Sequence, residues 1–432
     1  MKTLDAIAAE LEGYDPQALR ADRVNEFLSR LVEPVLEQDQ VSIFQALGRV
    51  LGSDVISPVS VPPHDNSAMD GYAFDGGQLQ TGNADGGPLV LQVVGTALAG
   101  KAWHGMVKPG QCLKIMTGAV LPQQLDTVVP QEFVAVRSGA VEGNVEFIAI
   151  PRGLLQAGDN RRKCGEDLME GQPALRKGTL LTPAALGLLA SLGIGQVTVM
   201  RKLRIAYFST GDEILSVGEA PREGAVYDSN PYTVFGLLTR LGCDVIDMGV
   251  VHDEPGLLEA AFQHAASQAD AIITSGGVSV GEADYTKLIM RKLGDVAFWK
   301  IAMRPGRPMA VGRIGQSILF GLPGNPVAVM VTFLAFVRPA LLRMMGSTQA
   351  ATPLLKARSL APLRKKPGRT EYQRGIVSQT GDGVLQVSAI GNQGSGVLSS
   401  MVQANGLIVL HHKQGDVGAG DEVDVMMFEG VL

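Results

Sequence analysis

Residues 271–284 read Ala271-Ile272-Ile273-Thr274-Ser275-Gly276-Gly277-Val278-Ser279-Val280-Gly281-Glu282-Ala283-Asp284. The apolar run Ala271–Thr274 predicts a strand, and the hydroxyls and glycines after it predict a loop lined by backbone. A helix over Asp284–Leu293, stopped by Gly294, follows. The same unit recurs upstream. Leu203–Phe208 and Asp244–Val251 read as strands, and Pro255–Gln268 reads as a helix. Asn230 is placed to cap a helix that carries Pro231 at its first position and closes at Gly242. Further strands are expected near Val296–Lys300 and Ile318–Phe320. Strands alternating with helices predict a mostly parallel sheet covered on both faces, with ligands bound beyond the carboxyl ends of the strands.

Working outward, Gly52–Pro151 consists of short apolar runs punctuated by Gly and Pro, such as Pro88–Val94, Gln111–Met116 and Val145–Ile150. These predict a strand-rich domain. The chain divides into a helical and linker domain (1–51 with 152–200), a strand-rich domain (52–151), an α/β domain (201–348) and a C-terminal β domain (349–432). The fold class is therefore α/β plus β, multidomain, with the mostly parallel sheet at its centre. The run Pro326–Val337 is too short to cross a membrane and reads as a buried helix. The acidic and basic residues within the first 30 positions do not form a signal peptide, so a cytoplasmic protein is expected.

Composition narrows the chemistry. The chain has 432 residues, 53 of them glycine, and a formal net charge of −6, which argues against general nucleic-acid binding. Three scattered cysteines cannot build a disulfide framework. No Walker loop and no dinucleotide fingerprint is present. Gly277–Gly281 matches G-x-S-x-G, but Ser279 does not directly follow the strand as a nucleophile elbow requires.

The segments after successive strands are chemically rich. Ser209-Thr210-Gly211-Asp212-Glu213 follows the first strand, and His252-Asp253-Glu254 the second. Ser275 to Asp284 follows the third. Lys300 and Arg304-Pro305-Gly306-Arg307-Pro308 lie near the fourth, and Leu322-Pro323-Gly324-Asn325-Pro326 follows the fifth. Hydroxyls and glycine amides bind phosphate oxygens. Carboxylates at Glu213, Asp253 and Asp284 suit a hard divalent cation. Between Tyr285 and Pro308 stand six basic residues and one acidic residue, Asp295, which marks a cationic stretch in an acidic chain. Each residue also has a plain structural use: Asp284 and Asn325 fit helix caps, and Asp253 fits the positive end of a helix dipole. Their convergence at one sheet edge favours a site. Pro62–Ala73, Lys114–Ala119 and Asn160–Asp167 form comparable dense segments in the strand-rich part.

Taken together, these segments resemble the molybdopterin molybdenumtransferase family of the MoeA type, which includes the E domain of gephyrin. The likeness runs through Asp65–Ala73, Ile115–Ala119, Asn160–Asp167, Ser209–Glu213, Tyr227–Asn230, Ser275–Asp284, Arg304–Pro308 and Leu322–Pro326. It continues at Pro367–Gly375 and Asn392–Gly396. It implies insertion of molybdenum from molybdate into adenylylated molybdopterin with release of AMP, assisted by magnesium. By this likeness Ser279 and Asp284 sit at the pyrophosphate and its magnesium, with Glu213 and Asp253 supporting the metal and acid–base work. Arg304, Arg307, Arg369 and Ser395 would bind molybdate. Ser275, Gly276, Gly277, Lys300, Pro323, Asn325 and Pro326 would line the substrate pocket. Asp70 and Thr117 would serve a cleft shared across a homodimer, and another protein would supply the adenylylated substrate. Many relatives carry Lys where this chain has Arg304. The alternative is a non-catalytic molybdopterin-binding scaffold.

Overall fold

The computed structural model describes residues 2–80, 87–138, 145–278, 285–349 and 352–428. Two compact units emerge. One comprises residues 1–53, 177–182 and 196–432, and the other residues 54–176 and 183–195.

The larger unit is organised by a six-stranded sheet. Its strands are β1 (Arg204–Thr210), β2 (Asp244–Val251), β3 (Ala271–Ser275), β4 (Gly294–Lys300), β5 (Pro308–Ile314) and β6 (Ser317–Leu322), in spatial order β2-β1-β3-β6-β5-β4. β2, β1, β3 and β6 pair in parallel, whereas β5 runs antiparallel between β6 and β4. The hairpin β5 escapes the sequence pattern because Pro308 and Gly312 interrupt its apolar run. Two reversals leave β4 pointing the same way as β6, so Lys300 and Leu322 still end at one edge.

Both faces of the sheet are buried, which is why its strands read as unbroken apolar runs. Ile205, Tyr207, Ile273 and Phe320 pack on one side, against helices α1 (Asn230–Arg240) and α4 (Pro326–Thr332). Ala206, Phe208, Ile272 and Leu319 pack on the other, against α2 (Pro255–Gln268) and α3 (Tyr285–Leu293). Phe208 meets Phe262 of α2 edge-on, ring centres 5.0 Å apart. The helical stretch Pro326–Met344 has the length and hydropathy of a membrane span, but 78% of it is buried inside the protein, as befits a core helix.

Two local expectations differ from the structure. The first 50 residues are not wholly helical, since Gln38–Ser42 is a strand paired with Gln196–Met200. Asn230 does not cap α1; Ser229 occupies the cap position, and the Asn230 side chain is held elsewhere. His411 and His412 follow the strand Gly406–Leu410, and His411 Nε2 meets Asp424 Oδ2 at 2.5 Å.

C-terminal strands Leu355–Ser359, Thr370–Gln379, Leu385–Ala389, Gly406–Leu410 and Glu422–Met427 close on themselves, because the first and last in spatial order also pair. The two-residue strand Met303–Arg304 adds to this barrel beside Thr370 and Glu371. That graft brings the Arg304 loop to the Arg369 segment. In the smaller unit a six-stranded sheet contains Gly71–Phe74, Leu89–Ala97 and Gln111–Ile115.

At the amino end of β3, Asp270 binds Arg201 through both carboxylate oxygens, at 2.8 and 2.9 Å, and accepts the Arg204 amide at 2.7 Å. Burial alone would raise its pKa; the Arg201 bonds and the Arg204 amide overcome this and hold it below the usual range. A depressed folded pKa contributes stability above the unfolded value of about 3.9, and that contribution is lost as pH falls through the folded pKa. Asp270→Asn is expected to cost about 1–2 kcal/mol at pH 7, because Arg201 loses one of its two carboxylate partners and keeps Glu37, at 2.7 Å. It should also flatten the loss of stability below pH 4 in urea titrations. A variant as stable as the parent at pH 7 would remove this role.

Candidate functional site

A cavity of about 1110 Å³ opens at the carboxyl ends of the parallel strands in the larger unit. β1 delivers Ser209, Thr210, Gly211 and Glu213 to its wall, β2 delivers Asp253, and β3 delivers Ser275, Gly276 and Gly277. The turn after β6 supplies Pro323, Asn325 and Pro326, and the turn before β5 supplies Arg304 and Arg307. The barrel completes it with Arg369 and Ser395. Twelve expected site residues, drawn from seven separated segments, therefore face one cavity. Lys300 is not among the lining residues; its backbone bonds Pro16 and Leu19, and it is exposed. Ser279 and Asp284 lie outside the described residues.

Asp70 and Thr117 belong to the smaller unit, where they bind each other. Asp70 Oδ1 accepts the Thr117 amide and hydroxyl, each at 2.7 Å. Those two bonds, the amide first, hold the Asp70 carboxyl below the usual range.

Two glycines of the β3 loop permit close backbone approach. At Gly276 φ is +89°, and a Cβ there would sit 2.3 Å from the Thr210 carbonyl oxygen. At Gly277 φ is +62°, and a Cβ would meet Thr286 at 2.7 Å. Opposite this loop the cationic wall is preset. Arg369 Nε and Nη2 both bind Glu371 Oε1, at 2.8 and 2.7 Å, while the Glu371 side chain is only 3% exposed. A fixed guanidinium with a remaining open edge is suited to a planar or tetrahedral oxyanion.

Arg374, which the sequence reading left without a role, is 1% exposed. It donates to the carbonyls of Asn392 and Gly394 and to the Ser400 hydroxyl, at 3.1, 2.9 and 3.0 Å. Burial, then the charge of Arg304, lowers its pKa. It thus braces the loop that carries Ser395, whose carbonyl accepts the Val327 amide at 3.1 Å. A second cavity, of about 720 Å³, is walled largely by Leu28, Leu334, Ala335, Pro339 and Ala340, and receives none of these strand-end loops.

Family comparisons bear on the whole chain. Residues 19–193 match the MoeA N-terminal region (domains I and II), 206–343 a probable molybdopterin binding domain, and 356–428 the MoeA C-terminal region (domain IV). The chain belongs to the MoeA family. It is 40% identical over 397 residues to the molybdopterin molybdenumtransferase of Haemophilus influenzae, covering 92% of this chain and 95% of that one. It is 32% identical over 392 residues to the Bacillus subtilis protein of the same name, covering 90% of each. Among solved structures, a molybdopterin biosynthesis moeA protein from Pyrococcus horikoshii superposes with a TM-score of 0.80 at 25% identity, covering 95% of this chain and all of that one. The MoeA-family fold thus accounts for the strand-rich unit, the α/β sheet and the C-terminal barrel together.

Proposed function

We propose that this protein inserts molybdenum from molybdate into adenylylated molybdopterin and releases AMP. The carrying observation is a single cavity that combines Arg304, Arg307 and Arg369 with Glu213, Asp253 and the glycine-lined end of β3. In this reading the three guanidinium groups attract and orient the molybdate oxyanion. The Gly276–Gly277 backbone and the Ser275 and Thr210 region approach the phosphates, where glycines without side chains let the ligand come close. Glu213 or Asp253 relays the two dithiolene thiol protons to the molybdate oxygen that leaves as water, and a second water cleaves the pyrophosphate to free AMP. Asp70 and Thr117 act in the cleft of a second copy of the chain, and a protein that makes the adenylylated substrate delivers it. The setting is the cytoplasm.

Among the described residues no three Asp, Glu, His or Cys converge as a metal cage. Magnesium commonly takes one or two carboxylates and completes its shell with substrate phosphate oxygens and water. Glu213 and Asp253, with Asp284, are its proposed protein ligands, and the ion would neutralise charge on the pyrophosphate as AMP departs.

The test incubates purified protein with adenylylated molybdopterin, molybdate and magnesium. AMP should appear only when molybdate is present, and chelation with EDTA should suppress it. AMP release without molybdate would point instead to a phosphoester hydrolase. Binding without release would point to a scaffold.

A further inference from the structure

In the lining of the cavity, two buried oxygen atoms form no hydrogen bond of ordinary geometry among the described residues. Asp228 and Asn230 are 5% and 6% exposed, and both line the cavity. Asp228 Oδ1 accepts the Asn230 amide at 3.1 Å, and Oδ2 forms no hydrogen bond of ordinary geometry among the described residues; the Ser209 hydroxyl lies near enough to act on the carboxyl but meets Tyr207 and Ser275 at 2.9 and 3.2 Å. Asn230 spends its amide nitrogen on the Gly324 carbonyl at 2.8 Å and on Ser275 Oγ at 3.3 Å, which fixes its orientation. Its Oδ1 is likewise without a partner. The Asn230 side chain is therefore clamped between the ends of β3 and β6, with its acceptor turned away from its own bonds.

An orphaned buried acceptor costs about 1–3 kcal/mol, so two in adjacent segments of a ligand cavity call for donors supplied from outside. Phosphates and molybdate carry only acceptor oxygens at neutral pH and are repelled by such a floor. A cation is the other species that satisfies two bare oxygens, and the magnesium titration below separates it from an N–H donor. Within the substrate of the reading above, the pterin offers two N–H donors side by side, on its 2-amino group and the neighbouring ring nitrogen. Adenine offers a single exocyclic amine flanked by acceptors. We propose that Asp228 and Asn230 form the pterin-recognising floor of the cavity, accepting hydrogen bonds from the amino-pyrimidinone edge, an assignment that rests on the proposed function. Burial, opposed by the nearby Ser209 hydroxyl and the Asn230 amide, raises the Asp228 pKa, and Asp247 adds to the rise. A carboxyl so placed gains when a ligand donates to it.

Asp228→Asn is the direct test. It keeps an oxygen for the Asn230 amide but turns the unpartnered atom from acceptor into donor. Binding is measured for adenylylated molybdopterin and, separately, for AMP alone. The variant should bind the full substrate about 10- to 100-fold more weakly, the size expected for hydrogen bonds to a charged group, while its AMP affinity stays within twofold. Asp228→Ser, which also retains an oxygen for that amide, should show the same selective loss and replaces Asn should that variant fail to fold. Unchanged substrate affinity, or an equal loss for AMP, would overturn the assignment. So would a weakened titration by magnesium alone, which would make Oδ2 a metal ligand. Molybdate-dependent AMP release by the parent protein is measured in parallel. Its absence with the selective loss intact would remove the transferase reading and leave the pterin floor standing.

Discussion

Arg369→Ala is expected to lower kcat/KM for molybdate by about 1000-fold, the largest effect of any single side chain in the cavity, through two losses of about 2 kcal/mol each. The first is the charge-assisted bonding of the guanidinium to the oxyanion. The second is less obvious. Glu371 is almost fully buried and is neutralised at 2.7 Å by Arg369, with only Gln373 on its other oxygen, at 3.2 Å. Truncating the arginine uncovers a negative charge beside a site that must hold an anion. Arg304→Ala and Arg307→Ala lack that second penalty and should cost less. The double variant Arg369→Ala with Glu371→Gln should recover at least tenfold relative to Arg369→Ala, because it removes the uncovered charge. Steady-state AMP release at varied molybdate reads both values. A loss below threefold in Arg369→Ala would place molybdate elsewhere, and a double variant no better than the single would remove the electrostatic argument.

The sheet was legible because its central strands are buried on both faces, so Ile205–Phe208 and Ala271–Thr274 could hardly be anything but apolar. The loop chemistry was legible for a related reason. Once strands run parallel, whatever follows them meets at one edge, and ten of the expected residues do, with Arg369 and Ser395 added from the barrel. Failures of the sequence reading have physical causes as well. Lys300 follows a strand, yet the chain there turns to bond Pro16 and Leu19, a long-range pairing that no local pattern announces. Arg374 looks like a surface charge, because arginine is rarely buried without a carboxylate; its partners here are backbone carbonyls. Asn230 before proline looks like a helix cap, and only the packing of α4 against α1 brings the Gly324 carbonyl to its amide. Asp228 stood inside a recognised segment without a role, since burial, and not residue type, is what makes its free oxygen informative.

Gly276 separates a site residue from a merely permissive one. Its φ of +89° lies in the left-handed region, where a side chain costs about 1–2 kcal/mol. The clash is worse than the torsion: the added Cβ would stand 2.3 Å from the Thr210 carbonyl oxygen, and backbone atoms cannot swing aside as a side chain would. Thr210 ends β1, the neighbour of β3, and the Gly276 amide also bonds the Leu322 carbonyl of β6 at 3.2 Å. Relief must therefore pry the loop from two strands at once, shifting Ser275 and Gly277 together. Gly276→Ala should lower molybdate-dependent AMP release by at least about 100-fold, the cost of displacing a positioning backbone by about 1 Å. Thermal or urea unfolding should show a loss of about 2–4 kcal/mol, short of global collapse for a unit with so large a core. Gly256→Ala is the matched control. It stands in the first turn of α2 with open space around its Cβ position, and alanine there should leave activity and stability unchanged or slightly improved. Full activity in Gly276→Ala would mean that the loop adapts freely, and the backbone at Gly276 would then have no part in positioning the phosphates.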